Sequence, residues 1–436
     1  MYHCVQHRSA IQAYSLYLQN MISTQPGPGT WQSRLWLLAS FANGTRQYAE
    51  GRPVWQPTSA CKMSVSPQIV DSLDDVLGHG IEAMFAYASR KQLVDGVVVG
   101  VYLRGNSYIR LLGSGMSETS SFEIGSVTKV FTVQLIDNLI HQGLLQWDDP
   151  VAKYFPKNLG SLPFDAPQSL KATILDIATH RSGLPLLPGN LKIRDGSRPF
   201  EAYRTADLEA YLREYRSIRP LSNERKYSNL GFAVLGYVLE NAIGASFRDL
   251  LEHELLRPMG LTNTFLSLTG GITPPLVLGH TLSGRLAPRW KQDVLAAAGG
   301  LCSNVVDQLL WMEALLSKPS RKMFEVYTDA KNVKVGVGWS THPVFDSYCG
   351  RGTTGGFCSY MGISPPRQSG IVVLMNRQIN LLLDVLAENC ERALLELPLL
   401  PIRGDYGRLR AKSLDPLRDL KLRLNAVDFF WNYLKA

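Results

Sequence analysis

From Ile69 to Tyr87 apolar residues recur at three- and four-residue steps (Ile69, Leu73, Val76, Leu77, Ile81, Met84, Phe85), the one-sided stripe of an amphipathic helix. The pattern then changes. Val97 to Leu103 is a run of apolar and β-branched residues, Arg104-Gly-Asn106 has turn character, and Tyr108 to Leu112 reads as a return strand. Helical spacing resumes in Val127 to Gln142, Leu170 to Thr179, Ala206 to Tyr215, Leu230 to Ala242 and Phe247 to Leu256. Ser359 to Ser364 and Gly370 to Asn376 are strand-like again, and Ile379 to Leu397 carries a last long helical pattern.

Strands at both ends of this region with helices between them predict an α/β (α+β) fold. An antiparallel sheet, assembled from both ends and flanked by helices, receives an inserted, mostly helical lobe over roughly residues 150–330. A cleft between two such lobes is where catalytic sites form. Residues 1–65 mix Gly, Pro, Gln and Ser with short apolar pieces and read as a leader, the domain spans 66–400, and 401–436 form a tail. Within the leader, Leu35 to Ala42 follows Arg34 and ends on a small-x-small pattern, a candidate export signal. In the tail, Asp415 and Pro416 start a helix whose Leu417, Leu420, Leu424 and Val427 alternate with Arg418, Lys421 and Arg423. Packing back on the domain is the expectation for it, with peripheral membrane contact as the alternative.

Composition narrows the function classes. The 436 residues are 45% hydrophobic, enough for a large core, and the formal charge of +8 comes without any long Lys/Arg block, so no nucleic-acid partner is expected. Cys4, Cys61, Cys302, Cys349, Cys358 and Cys390 show neither C-x-x-C spacing nor a paired His, which points away from a metal site, and no cofactor is implied.

The sharpest chemical signal is Ser126 and Lys129, three residues apart at the start of a predicted helix and therefore on one face of it. A serine hydroxyl needs a base to become a nucleophile, and a lysine desolvated in a pocket is neutral enough to act as one. About a hundred residues downstream, Tyr227-Ser-Asn229 precedes another predicted helix; a buried tyrosine can pass a proton to a leaving group, and an asparagine amide can hold a substrate carbonyl. Gly350-Arg-Gly-Thr-Thr-Gly-Gly-Phe357 would let a strand edge approach substrate, with Gly352, Thr353 and Arg351 as candidate substrate contacts and the Thr353 amide as a second oxyanion donor beside that of Ser126. This stretch lacks the Gly-Lys-Ser/Thr ending of a nucleotide loop.

Taken in order, Gly125-Ser-Val-Thr-Lys129, Asp148-Asp-Pro-Val-Ala-Lys-Tyr154, Ala178-Thr-His-Arg-Ser-Gly-Leu-Pro185, Tyr227-Ser-Asn229, Ala298-Gly-Gly-Leu301, Gly336-Val-Gly-Trp339 and Thr354-Gly-Gly-Phe357 resemble the serine β-lactamase-like family, which includes class C β-lactamases, D-Ala-D-Ala carboxypeptidases and related esterases. The resemblance covers roughly residues 67–400 and implies Ser126, Lys129 and Tyr227 as catalytic residues, Asn229 as a substrate contact, and a β-lactamase/transpeptidase-like fold. It makes His180 part of a structural turn rather than of a triad with Asp176, and it favours export. One position departs: where such relatives carry Lys or His, this chain has Gly350, followed by Arg351, whose side chain period-2 alternation turns away. The expected activity is therefore acyl transfer through Ser126 on an ester, amide or small peptide. A penicillin-binding carboxypeptidase or β-lactamase, an acyltransferase, and a catalytically idle scaffold on the same fold are the alternatives.

Overall fold

The computed structural model describes residues 96–397, apart from 114, 157–171, 215–223, 268–275, 319–321, 329–333 and 343–344. The leader, the 69–87 helix and the tail from 401 lie outside the described residues.

The strands, in chain order, are β1 (Val97–Leu103), β2 (Asn106–Leu112), β3 (Phe122–Glu123), β4 (Phe265–Leu266), β5 (Gly279–His280), β6 (Leu286–Ala287), β7 (Leu301–Ser303), β8 (Tyr327–Thr328), β9 (Lys334–Val335), β10 (Ser340–His342), β11 (Ser347–Thr353), β12 (Cys358–Ser364) and β13 (Ser369–Met375). The helices are α1 (Thr128–His141), α2 (Ile174–Ala178), α3 (Thr205–Glu214), α4 (Asn229–Ile243), α5 (Phe247–Leu251), α6 (Ala296–Gly299), α7 (Val305–Ser317) and α8 (Asn380–Leu394). Among the described residues an eight-stranded antiparallel sheet runs in the order β2-β1-β13-β12-β11-β10-β9-β8. The N-terminal hairpin joins the C-terminal strands through β1 and β13, in register from Val97↔Met375 to Leu103↔Ser369. The sheet is thus built from both ends of the described chain, as the pattern predicts.

Strands β1, β12 and β13 are buried at every position, which is why they read as continuous apolar runs rather than as alternations. Val98 and Tyr102 of β1 share a core with Val305 and Leu309 of α7 and with α1. Val97, Val99, Val101 and Leu103 point to the other face, where Leu382, Leu383 and Leu386 of α8 cover them. Each such aliphatic side chain removed from water contributes about 1.5–3 kcal/mol, so both faces of the central strands are locked. Helix α7 carries no element in the sequence-based reading; its apolar positions are too dense to show one clean stripe.

The 3.6-residue patterns settle into real helices with small shifts at their ends. A 3-10 turn, Gly125–Val127, leads into α1. Ser228 caps α4 by accepting from the Gly231 amide over 2.8 Å. The run Phe247 to Leu256 begins as α5 and finishes as a π-helical turn over Glu252–Leu256. Among the described residues no single helix is long and apolar enough to cross a membrane. Cys302, Cys349, Cys358 and Cys390 are buried and form no disulfide among the described residues; Cys349 lies opposite Gly362 and Cys358 opposite Thr353, so the two that flank the glycine-rich stretch are out of register.

Candidate active site

The site forms where the 3-10 turn meets the inner face of β11. Gly125 takes a left-handed φ of +47°, and a Cβ there would stand 2.8 Å from the Thr353 amide nitrogen. The Ser126 backbone can therefore lie against the end of β11 only with glycine before it. On the strand side the constraint is tighter still: a Cβ at Gly352 would fall 1.9 Å from the Ile124 carbonyl oxygen and 2.5 Å from Ser359 Oγ. Ser359 in turn donates to that carbonyl over 2.7 Å.

Helix α1 is held in place by its polar residues. Thr128 Oγ1 accepts from the Leu301 amide (3.1 Å) and Thr132 Oγ1 donates to the Ala297 carbonyl (2.8 Å). These side chains, four apart and on one face, fix the segment 297–301 beside Lys129. Lys129 Nζ then meets three partners: the Ala298 carbonyl at 2.7 Å, Asn229 Oδ1 at 2.8 Å and Ser126 Oγ at 3.1 Å. It also lies over the rings of Tyr227 (4.8 Å) and Phe232 (5.4 Å). Its side chain is 1% exposed, and this burial holds the amine well below the ordinary lysine range.

A neutral amine has two N–H bonds and one lone pair. The Ala298 carbonyl and the Asn229 amide oxygen can only accept, so each takes an N–H of Lys129, and the third position of Nζ faces Ser126 Oγ; that position becomes the lone pair once the amine has lost its extra proton. Tyr227 completes the arrangement by donating to Ser126 Oγ over 2.7 Å. Burial pushes its phenol up to about 12, against the opposing effects of the Ser126 hydrogen bond and the Arg225 charge, so Tyr227 keeps its proton at neutral pH. Ser126 and Tyr227 remain partly open to solvent while Lys129 is sealed behind them.

His180 supports Tyr227 rather than Ser126. Its φ is +59°, its carbonyl accepts from the Lys226 amide over 2.7 Å, and its Nδ1 accepts from the Ser228 amide over 3.2 Å. The ring stands 4.5 Å from that of Tyr227. Burial, aided by the Arg225 charge, holds the imidazole well below its usual pKa. Asp176 is engaged elsewhere, as the N3 partner of Thr173 in the capping box of α2.

Ser126, Lys129, Tyr227 and Asn229 thus come together, and the Thr353 amide lies next to them. One expected substrate contact is corrected. Arg351 points to the opposite face of the sheet, where Nη1 donates to Asp384 of α8 over 2.6 Å, as alternation along β11 requires. Gly352 lies close against Ile124 and Ser359, with no room for a side chain. The Thr353 side chain also turns outward, to Asn380 Oδ1 at 2.8 Å. At Gly350 a Cβ would meet only Val130, Val127 and Trp339, at 3.8–4.0 Å, and no cation stands at this position of the strand. Sequence reasoning missed Ala298 as a partner of Lys129; the Ala298-Gly-Gly-Leu301 motif was the available signal, but a backbone carbonyl has no residue type to recognise. Among the described residues no cluster of His, Cys, Asp and Glu could hold a metal ion.

The family profile described as Beta-lactamase matches residues 81–387. A "Beta-lactamase" of Pseudomonas fluorescens is 24% identical over 305 residues, covering 60% of this chain and 81% of that protein. The "D-alanyl-D-alanine-carboxypeptidase/endopeptidase AmpH" of Escherichia coli is 27% identical over 285 residues, covering 59% of this chain and 71% of its own length. Among solved structures, a class C beta-lactamase from Rhodobacter sphaeroides superposes with a TM-score of 0.57 at 21% identity, covering 80% of this chain and 99% of the other.

Proposed function

The chain belongs to the beta-lactamase family of serine hydrolases, and from that premise we propose that Ser126 is acylated by an ester, amide or small peptide substrate, with Lys129 as base and Tyr227 as proton donor. The observation that carries this reading is the three-partner contact at Lys129 Nζ, in which two fixed acceptors hold two of its positions and the third faces Ser126 Oγ at 3.1 Å. A positioned base of this kind contributes about 10²–10⁴-fold to rate.

In the first step Lys129 takes the Ser126 proton, Oγ bonds to the substrate carbonyl carbon, and the amides of Ser126 and Thr353 receive the oxyanion. Collapse of the intermediate breaks the bond to the leaving group, which takes the Tyr227 proton, and the phenolate recovers a proton from the Lys129 ammonium. Water, deprotonated in the same way, then releases the acyl group and restores Ser126. The bare Gly350 and the outward Arg351 favour ester, amide or peptide substrates over those whose recognition needs a strand-borne cation. The names of the relatives favour a second reading, a β-lactam or D-Ala-D-Ala substrate.

Intact-mass spectrometry after exposure to a p-nitrophenyl ester and, in parallel, a fluorescent penicillin tests both. An ester-derived adduct or turnover that vanishes in Ser126→Ala supports the first reading, and strong penicillin labelling moves the assignment to the second. A wild type silent to both reagents overturns the hydrolase reading in favour of an idle scaffold.

A further inference from the structure

Two alternate residues of β11 reach through the back of the sheet to α8. Arg351 Nη1 donates to Asp384 Oδ1 over 2.6 Å, and the Thr353 hydroxyl donates to Asn380 Oδ1 over 2.8 Å. Arg351 and Thr353, two apart, share one face of the strand; Asn380 and Asp384, four apart, share one face of the helix. Asn380 Oδ1 takes a second bond, from Cys358 Sγ at 3.1 Å, and Cys358 is the residue paired with Thr353 across the β11–β12 ladder. One amide oxygen on the first residue of α8 therefore ties both strands together at the point where β11 ends.

The backbone of Thr353 faces the other way, toward the nucleophile. The Thr354 amide donates to the Phe357 carbonyl over 3.0 Å, and hydrogen-bonded positions alternate along an antiparallel ladder, so the Thr353 amide points away from β12. Strand β10 pairs with β11 only over Ser347–Cys349. The edge from Gly350 to Thr353 is left to the 3-10 turn, where a Cβ on Gly125 would stand 2.8 Å from the Thr353 nitrogen. With a strand partner on one side only, the angle of this strand end depends on what holds it from behind. The packing there, Cys358 and Tyr360 with Leu383 and Leu386, is apolar and non-directional, whereas the hydrogen bonds to Asn380 and Asp384 fix distance and direction.

We propose that Asn380 is a positioning residue for the oxyanion site: its hold on the Thr353 hydroxyl, repeated one helical turn on by the Asp384–Arg351 pair, fixes the aim of the Thr353 amide at the developing oxyanion. The proposal rests on the serine hydrolase reading above, in which that amide is an oxyanion donor. Its physical basis is that a hydrogen bond weakens steeply as donor and acceptor fall out of line, and that an oxyanion donor works by being aimed before charge develops. Acylation and deacylation both pass through an oxyanion, so a misaimed amide slows both; kcat falls and KM stays.

The test is p-nitrophenyl ester turnover by the full chain in wild type, Asn380→Ala, Thr353→Val and the double variant, with Thr353→Ser as the change that keeps the hydroxyl. Either single loss of the hydrogen bond is expected to lower kcat roughly ten-fold, part of the ~10²–10³ that removal of a whole oxyanion donor costs, with KM within about two-fold of wild type. The double variant should fall no further than the lower single variant, since both break one bond, and Thr353→Ser should keep most of the wild-type kcat. Infrared difference spectra of the acyl-enzyme, trapped at acid pH with an isotope-labelled ester carbonyl, supply a signature that a merely structural contact does not move. A carbonyl less polarised by the Thr353 amide should absorb at higher wavenumber in Asn380→Ala and Thr353→Val. Thr353→Val, which keeps the shape of the side chain, decides the matter should Asn380→Ala not fold. A wild-type kcat, a loss that falls on KM instead, or an unshifted carbonyl band in these variants overturns this proposal alone. A wild type that forms no acyl-enzyme brings down the hydrolase reading and this proposal with it.

Discussion

Lys129 Nζ donates to the Ala298 carbonyl oxygen over 2.7 Å, a contact between residues 169 apart in the chain. A carbonyl can only accept, so this bond and the one to Asn229 decide which lobe of the amine faces Ser126. The same dry enclosure that holds the Lys129 amine well below the ordinary lysine range leaves it sensitive to added negative charge.

Asn229→Asp puts a carboxylate 2.8 Å from the amine and stabilises its protonated form. Activity at neutral pH should drop about a hundred-fold, the scale of a lost general base, and the rising limb of the kcat–pH profile should move to higher pH. Asn229→Ala, which adds no charge, should leave that limb nearer the wild-type position. A profile of Asn229→Asp superposable on wild type would remove Lys129 from the role of base.

Gly352→Ala places a Cβ 1.9 Å from a backbone oxygen that cannot rotate away. Overpacking of this kind costs about 1–3 kcal/mol, and here the strain falls on the contact between Ile124 and β11. Thermal denaturation should show a lower Tm, and ester turnover should fall more steeply than the stability loss alone would explain.

Gly350→Lys has room, since its Cβ makes only ordinary contacts with Val127, Val130 and Trp339. Introducing a cation on this strand should raise the rate of penicillin acylation by about ten-fold, the equivalent of ~1.4 kcal/mol from one charge-assisted hydrogen bond, while ester turnover changes little. Stopped-flow labelling with a fluorescent penicillin measures the first effect, and equal rates in the two proteins would mean that this strand position does not limit β-lactam reaction.

Glu391 of α8 is 4% exposed, accepts weakly from Ser347 at 3.3 Å and Tyr360 at 3.4 Å, and is pushed up by burial to about 7. The unfolded chain releases this proton near its ordinary value of 4.5 and the native state holds it to about 7, so the folded form binds more protons between the two. Stability therefore falls as pH rises through that window and levels off above it, by on the order of 3 kcal/mol for this group. Urea denaturation at mildly acidic and mildly alkaline pH should show this decline, and Glu391→Gln should flatten it.

How much of this was legible in advance depended on whether a feature is local. The hairpin Val97 to Leu112 was, because a buried β-branched run, a turn and a return strand are neighbours in sequence. The Ser126–Lys129 pair was, because three residues on a helix share a face. The outward direction of Arg351 followed from strand alternation, although the charge had suggested a substrate contact. Tyr227 was placed with Ser126 by motif order and resemblance; its 2.7 Å hydrogen bond needed coordinates.

What the sequence alone determined is therefore the terminal hairpin, most of the longer helices, the antiparallel sheet drawn from both ends, and the candidate site residues, since each depends on residue type and short-range periodicity. Only the tertiary structure decided that Ala298 contributes a carbonyl to Lys129, that Gly352 lies against Ile124, and that α7 covers the sheet. Backbone carbonyls look alike in every residue, and a glycine does not announce which chain it admits. Burial, which lowers the proton affinity of Lys129, is a property of everything packed around it.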